Sequence, residues 1–369
     1  MRKRILLLVA ALAAVSLLAA ACGDDGKSTS STATGSAGTG AAASSSCPKA
    51  AEKGDPAGKR VGLLFDLAGR GDQSFNDSAA CGLDRAAKEL KISPSESVQA
   101  KEGDRAERAK AMVANNELIA MVGFLWATPI EEAAKANPTK KFVIVDSVVA
   151  QPNVYSVTFA EQEGSYLVGA AAALQTKSKK IGFIGGVEND LIKKFAAGYV
   201  AGAKAAVPTV TVDVKYITLD GDFTGFTAPD KAKVIADKMY SDGVDIIYAA
   251  AGTSGTGMFE AAKAYTDKNG ASKKVWGIGA DSDQYLTVGK DLQAYVMTSM
   301  LKRVDVAVYG AIKAFVGGTF AGGKADVFDL KADGVGYATS GGFLTADTIK
   351  KLEAYKADIA AAKITVPSK

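Results

Sequence analysis

Twice along this chain a run of short apolar segments alternates with helix-spaced segments, and the second set restarts about 120 residues after the first. Residues 61–65, 98–100, 119–124 and 142–146 predict strands, with helices near 74–90, Arg105–Asn115 and 130–136. The second set opens at Ile181-Gly182-Phe183-Ile184-Gly185-Gly186 and continues with strands at 212–218, 245–251 and 275–280. Its helices fall near 191–206, 229–242 and 257–269. Apolar runs without polar alternation suit strands covered on both faces, and strands alternating with helices build parallel sheets. The pattern predicts an α/β protein of two lobes, each a parallel-rich sheet flanked by helices. The repeat is far too long for a solenoid and reads as one plan used twice. Links at 154–161 and 281–284 are expected to pass between the lobes. In such sheets ligands bind beyond the carboxyl ends of the strands, so a cleft between the lobes would trap one by hinge closure.

The first strand runs into the most informative loop. Asp66 stands at the strand end, Gly69 and Gly71 free the backbone, and Asp72 or Ser74 caps a helix whose apolar positions are Ala79, Leu83, Ala86, Ala87 and Leu90. Within eleven residues this stretch carries a carboxylate, the Phe75 ring and the Asn76 amide, a recognition surface for a small polar ring compound.

Composition excludes several chemistries. The 369 residues contain no histidine, which rules out Ser-His-Asp and Cys-His catalysis and histidine-bearing zinc sites. No cofactor or metal is expected. The net charge of +4 includes Arg2, Lys3 and Arg4, and nothing in the balance points to nucleic acid. The loop Gly252-Thr253-Ser254-Gly255-Thr256-Gly257 has free N–H groups before a helix, yet lacks the Gly-Lys-Ser/Thr ending of a phosphate-binding loop. A neutral ribose suits it better than a phosphate.

Met1-Arg2-Lys3-Arg4 followed by apolar residues 5–21 reads as an export signal. Ala19-Ala20-Ala21-Cys22 resembles the lipobox of bacterial lipoproteins, with Ala19 where leucine is usual and Leu18 one step earlier. The resemblance implies cleavage after Ala21 and a lipid on Cys22. Residues 23–46 are rich in Ser, Thr, Gly, Ala and Asp and are expected to form a flexible tether. Such a coil would reach roughly 25–35 Å. The remaining cysteines, Cys47 and Cys81, read as a disulfide outside the cytoplasm, pinning the end of the tether to the first helix.

Three stretches go beyond pattern. Gly71-Asp72-Gln73-Ser74-Phe75-Asn76-Asp77-Ser78-Ala79 resembles the D-x-S-F-N signature of the basic membrane protein family of lipoproteins. The run from Tyr155 through Thr158-Phe159-Ala160-Glu161 to Gly169 is similar to its crossover segment. Val275-Trp276-Gly277-Ile278-Gly279-Ala280-Asp281 with Thr298-Ser299-Met300-Leu301-Lys302-Arg303 completes the likeness. It implies a type I periplasmic-binding-protein fold and a solute-binding lipoprotein serving an ABC permease and ATPase.

The same resemblance implies a purine nucleoside (adenosine, guanosine or inosine) held between two aromatic rings. Phe75 matches one ring. Phe226, in Gly225-Phe226-Thr227-Ala228-Pro229-Asp230-Lys231, is the choice for the other, with Phe223 as competitor. Asn76 and Asp146 match positions that hydrogen-bond the base, while Asp66, Gly252, Asp281 and Lys302 match contacts chiefly at the ribose. The expected organisation is a signal peptide over 1–21, a lipidated linker over 22–58, lobe 1 over 59–158 plus about 281–308, and lobe 2 over 159–280 plus about 309–369. A monomer on the outer face of the membrane is expected, with no catalytic residues. Open alternatives keep the fold and change the ligand to a sugar or another small polar metabolite, or make the body a sensor for a membrane kinase. A carboxylate-based nucleoside hydrolase is a further one.

Overall fold

The computed structural model describes Cys47 and residues 51–97 and 103–369. The expected signal peptide, the lipid-bearing Cys22 and most of the tether lie outside the described residues. In chain order the elements are β1 (Arg60–Leu64), α1 (Phe75–Leu90), β2 (Ser93–Ser97), α2 (Arg105–Asn115), β3 (Leu118–Val122), α3 (Ala127–Ala136), β4 (Lys141–Val145) and β5 (Val154–Phe159). There follow α4 (Glu161–Gln175), β6 (Lys180–Glu188), α5 (Asp190–Ala206), β7 (Thr211–Leu219), α6 (Pro229–Ser241), β8 (Ile246–Ala250), α7 (Gly255–Asn269) and β9 (Trp276–Asp281). The chain ends with the short α8 (Gln284–Thr287) and α9 (Lys290–Gln293), then β10 (Val296–Lys302), α10 (Val304–Val316), β11 (Lys324–Phe328), β12 (Val335–Tyr337) and α11 (Ala346–Ala360).

Two six-stranded sheets result, in the orders β11-β5-β4-β3-β1-β2 and β12-β10-β9-β8-β6-β7. Every pair is parallel except β10 with β12. The central strands β3 and β8 are buried along their whole length, as helices on both faces require. The edge strand β2, Ser-Pro-Ser-Glu-Ser, is polar and half-buried, a composition that discourages pairing with another chain. Its polarity also hid it. The apolar run at 98–100, expected as the strand, lies outside the described residues.

The chain passes between lobes three times: from β5 into α4, from β10 into α10, and from β11 to β12. This revises the expected division. β10 pairs with β9, so 281–302 belongs with the second sheet, while α10 packs on α1 and β11 pairs with β5 in the first lobe. The tail from β12 onward returns to the second lobe, where α11 packs on α4. The link at 281–284 does not cross, because α8 and α9 lead directly back into β10 of the same sheet. Hydrogen bonds lace the crossing strands together: Ala160 N to Phe328 O at 3.0 Å and Arg303 N to Gly334 O at 2.9 Å.

Cys47 and Cys81 are joined by a disulfide that closes a loop over a sequence separation of 34 and ties the end of the tether to α1 of lobe 1. A loop of that length constrains the unfolded chain by about 3–4 kcal/mol. Denaturant unfolding of a Cys47→Ser/Cys81→Ser protein should therefore show a loss of about that size. An unchanged midpoint would contradict a structural role for the bridge.

Candidate functional site

Between the carboxyl ends of the two sheets lies a cavity, walled by residues of both lobes, whose empty space is about 610 Å³ when its open mouth is counted. Its wall brings together all eight residues singled out from the sequence: Asp66, Phe75, Asn76, Asp146, Phe226, Gly252, Asp281 and Lys302. Phe75 comes from the start of α1 in lobe 1, and Phe226 from a turn of 3₁₀ helix after β7 in lobe 2. Phe226 rests on Gly186, where a Cβ would come within 2.5 Å of its ring. Phe223 is not part of the wall. It meets Phe124 of lobe 1 edge-on at 5.7 Å, so it joins the lobes beside the cavity.

At the cavity floor Lys302 is 2% exposed. Its Nζ lies 2.7 Å from Asp146 Oδ2 and 3.2 Å from Glu161 Oε1. Phe75 and Phe159 present their rings to the same ammonium, each with its centroid at 5.0 Å. Burial alone would lower the lysine, but Asp146, Glu161 and Asp281 outweigh it and hold the group above the ordinary lysine range. Lys194 adds a second, half-exposed cation 3.5 Å from Glu161 Oε2, so two cations face three acids and negative charge remains in excess. Burial, with Glu161 and Asp281 nearby, pushes Asp146 up to about 6 despite Lys302. Burial raises Asp281 as well.

Asp146 follows β4 and Asp281 ends β9, one in each lobe, and both have left-handed backbones, with φ of 68° and 66°. Such angles are uncommon outside glycine, although aspartate tolerates them, and they cluster at functional sites. Each acid also leaves one buried oxygen, Oδ1, without a partner. Thr253 Oγ1 is likewise buried and unpartnered, in the 3₁₀ turn Gly252–Ser254 where Gly252 has φ of 56°. Leaving a buried polar atom unsatisfied costs about 1–3 kcal/mol. Three on one cavity wall point to a ligand that satisfies them.

Other expected contacts are already engaged. Asn76 donates both amide hydrogens, to Leu67 O and Asp72 Oδ2, each at 2.9 Å, and its Oδ1 accepts from Asp66 N at 2.9 Å. In this arrangement it shapes the loop, keeping one acceptor position at most for a ligand. Asp66 Oδ1 accepts from Leu67 N and from Arg105 Nη2 at 3.2 Å, and burial raises its carboxyl. Asp72 rather than Ser74 caps α1, accepting from the backbone N–H groups of Ser74, Asn76 and Asp77. Sequence reasoning missed Phe124, Phe195, Leu191, Ile192 and Thr253, which line the cavity, and Glu161, which pairs with Lys302. Phe124 and Thr253 follow strand ends, the same position that had revealed Asp66.

Two α/β lobes joined by three crossovers and closing on a polar and aromatic cavity define a solute-binding protein of the type I periplasmic kind. An ABC transporter solute-binding protein from Aeropyrum pernix superposes with a TM-score of 0.72 at 28% identity, covering 84% of this chain and 94% of that one. The chain is 38% identical over 322 residues to a protein named ABC transporter nucleoside-binding protein BmpA of Lactococcus lactis, covering 84% of this chain and 89% of the relative. Basic membrane protein A of Borreliella burgdorferi is 30% identical over 84% of this chain and 88% of its own. The family of PnrA-like ABC transporter substrate-binding proteins matches over residues 59–369. The chain belongs to that family and is an ABC transporter substrate-binding protein.

Removing the cation should expose the charge imbalance. Lys302→Met is expected to cost about 3–5 kcal/mol at pH 8, because it leaves buried acids uncompensated. A carboxyl raised in the fold stabilises it below the unfolded value of 3.8, and that contribution is lost as pH rises through about 6 for Asp146. Urea unfolding of the variant should therefore recover part of the loss at pH 5. Equal losses at both pH values would contradict the electrostatic account.

Proposed function

We propose that this substrate-binding protein takes a purine nucleoside into the interlobe cleft and delivers it to an ABC permease with its ATPase. The observation that carries the reading is the cavity itself, walled by a phenylalanine from each lobe and by two acids with unpartnered oxygens. A purine has two flat polarisable faces for Phe75 and Phe226, and stacking contributes roughly 1–3 kcal/mol per aromatic partner. Base N–H groups and ribose hydroxyls are donors, which suits carboxylate oxygens. The excess negative charge favours a neutral ligand over a phosphorylated one. The name of the lactococcal relative supports the nucleoside class.

On this reading the body sits on the outer face of the membrane, held by a lipid on Cys22. Relatives from Pyrococcus named as lipoproteins, one of them 35% identical over 75% of this chain, support that placement. Among the described residues no helix is long and apolar enough to cross a membrane. The ligand bridges the lobes and so favours the closed form, which requires tighter binding to that form.

Calorimetry of the soluble body with adenosine, guanosine and inosine tests the assignment. Micromolar or tighter binding of at least one is expected, with ribose alone far weaker. Phe75→Ala and Phe226→Ala should each weaken binding by roughly 1–3 kcal/mol. Gly186→Val should do so indirectly, by displacing the Phe226 ring. Failure of all three nucleosides to bind would overturn the reading, and preferential binding of a free sugar would favour that ligand class instead.

A further inference from the structure

We propose that Ser74 is a positioning residue: its hydroxyl reaches from lobe 1 across the cleft and orients the Asp281 carboxylate of lobe 2, so that this acid is set for a ligand only when the lobes are closed. Ser74 is 1% exposed and stands just before α1. Its one hydroxyl proton is shared between Asp281 Oδ2 and Ala280 O, each 2.9 Å from Oγ. Among the described residues this is the one hydrogen bond made to the Asp281 side chain. Lys302 acts on Asp281 through space, its ammonium being bonded to Asp146 and Glu161. With Oδ2 fixed by Ser74, the unpartnered Oδ1 is left for the cavity.

A clasp of side chains from lobe 2 holds the stretch of lobe 1 that carries the serine. Ser282 Oγ donates to Ser74 O at 2.7 Å. Gln284 Nε2 and Thr287 Oγ1 both donate to Gln73 O, each at 3.1 Å. Gln284 is itself fixed, because its Oε1 accepts from Ala280 N at 3.1 Å. Two consecutive carbonyls of lobe 1 are thus gripped by three residues that follow β9.

The loop that presents these carbonyls is bent out of the ordinary wells. Gln73 has φ of 59°, an angle that persists in a residue other than glycine only where the surroundings over-determine it. Two acids do so. Asp77 accepts from Gly71 N at 2.6 Å and from Gln73 N at 3.0 Å, and Asp72 accepts from Ser74 N at 2.9 Å. The next residue, Phe75, is part of the cavity wall. One short stretch therefore carries both a ring for the ligand and the group that sets an acid on the opposite lobe.

Coupling follows from this geometry. Apparent affinity falls with the fraction of protein in the competent closed form, and Ser74 governs both that fraction and the aim of Asp281. Ser282 contributes to closure alone, since it bonds Ser74 O and not the acid.

The test compares Ser74→Ala, Ser74→Thr and Ser282→Ala with the wild-type soluble body. Small-angle scattering without ligand reads closure and does not depend on the nucleoside assignment. Ser74→Ala should be more open than wild type, and Ser74→Thr, which keeps the hydroxyl, should return towards it. Calorimetry with adenosine, guanosine and inosine rests on the proposed function. There Ser74→Ala should bind roughly 10- to 100-fold more weakly, the size expected for a hydrogen bond to a charged group. Ser282→Ala should lose only a few-fold, and Ser74→Thr should recover most of the loss. Wild-type scattering and affinity in Ser74→Ala, or a loss in Ser282→Ala as large as in Ser74→Ala, would overturn the proposal. If wild type bound no nucleoside, the proposed function would fail, and the scattering comparison would still decide whether Ser74 holds the lobes.

Discussion

A single buried ammonium ties the pivot of this molecule together. Lys302 is the last residue of β10, where the chain leaves lobe 2; Glu161 is the first residue of α4, where the chain enters it; and Asp146 follows β4 in lobe 1. The cation therefore joins two of the three crossovers to the strand end that faces the cavity. Such a group is tolerated in a protein interior only because its partners lie within hydrogen-bond distance, and removing one partner leaves the others expensively buried. The pivot and the site consequently share their electrostatics. A ligand that takes up the excess acceptors also acts on the residues about which the lobes turn.

The two lobes contribute to the site in parallel ways. Each ends a central strand on, or just before, an aspartate in a left-handed backbone, and each of those acids leaves one oxygen without a donor. The unmet hydrogen bonding counts against closure without a ligand. It is made good when a ligand with donors arrives, so the ligand stabilises the closed state more than the open one, as any closure mechanism requires. The aromatic rings supply area and little direction, while the acids supply direction.

Much of the fold was legible in sequence because buried parallel strands are nearly continuous apolar runs. The runs at 61–65, 119–124 and 245–251 read as strands of this type, and the helices between them kept a regular apolar spacing. Strand ends in such a fold carry the site, which singled out Asp66, whereas Asp146 and Asp281 came from the family resemblance. The polar edge strand β2 has no apolar signal, and its Pro94 argues against a strand. Sheet membership after β9 was equally hidden, because β10 reads as a strand in either lobe and only its pairing with β9 decides. Partners were less legible than positions. Nothing local in the sequence shows that the Asn76 amide is committed to its own loop, or that Ser74 leaves the cap of α1 to bond an acid more than two hundred residues away.

The central claim is that a flat, neutral, donor-bearing ring compound is held between the two lobes. A crystal structure of the soluble body grown with inosine or guanosine tests it most directly. The account predicts the base between the Phe75 and Phe226 rings, with ligand donors within about 3 Å of the Oδ1 atoms of Asp146 and Asp281. A complex in which the base lies away from both rings and those two oxygens remain unpartnered would contradict it.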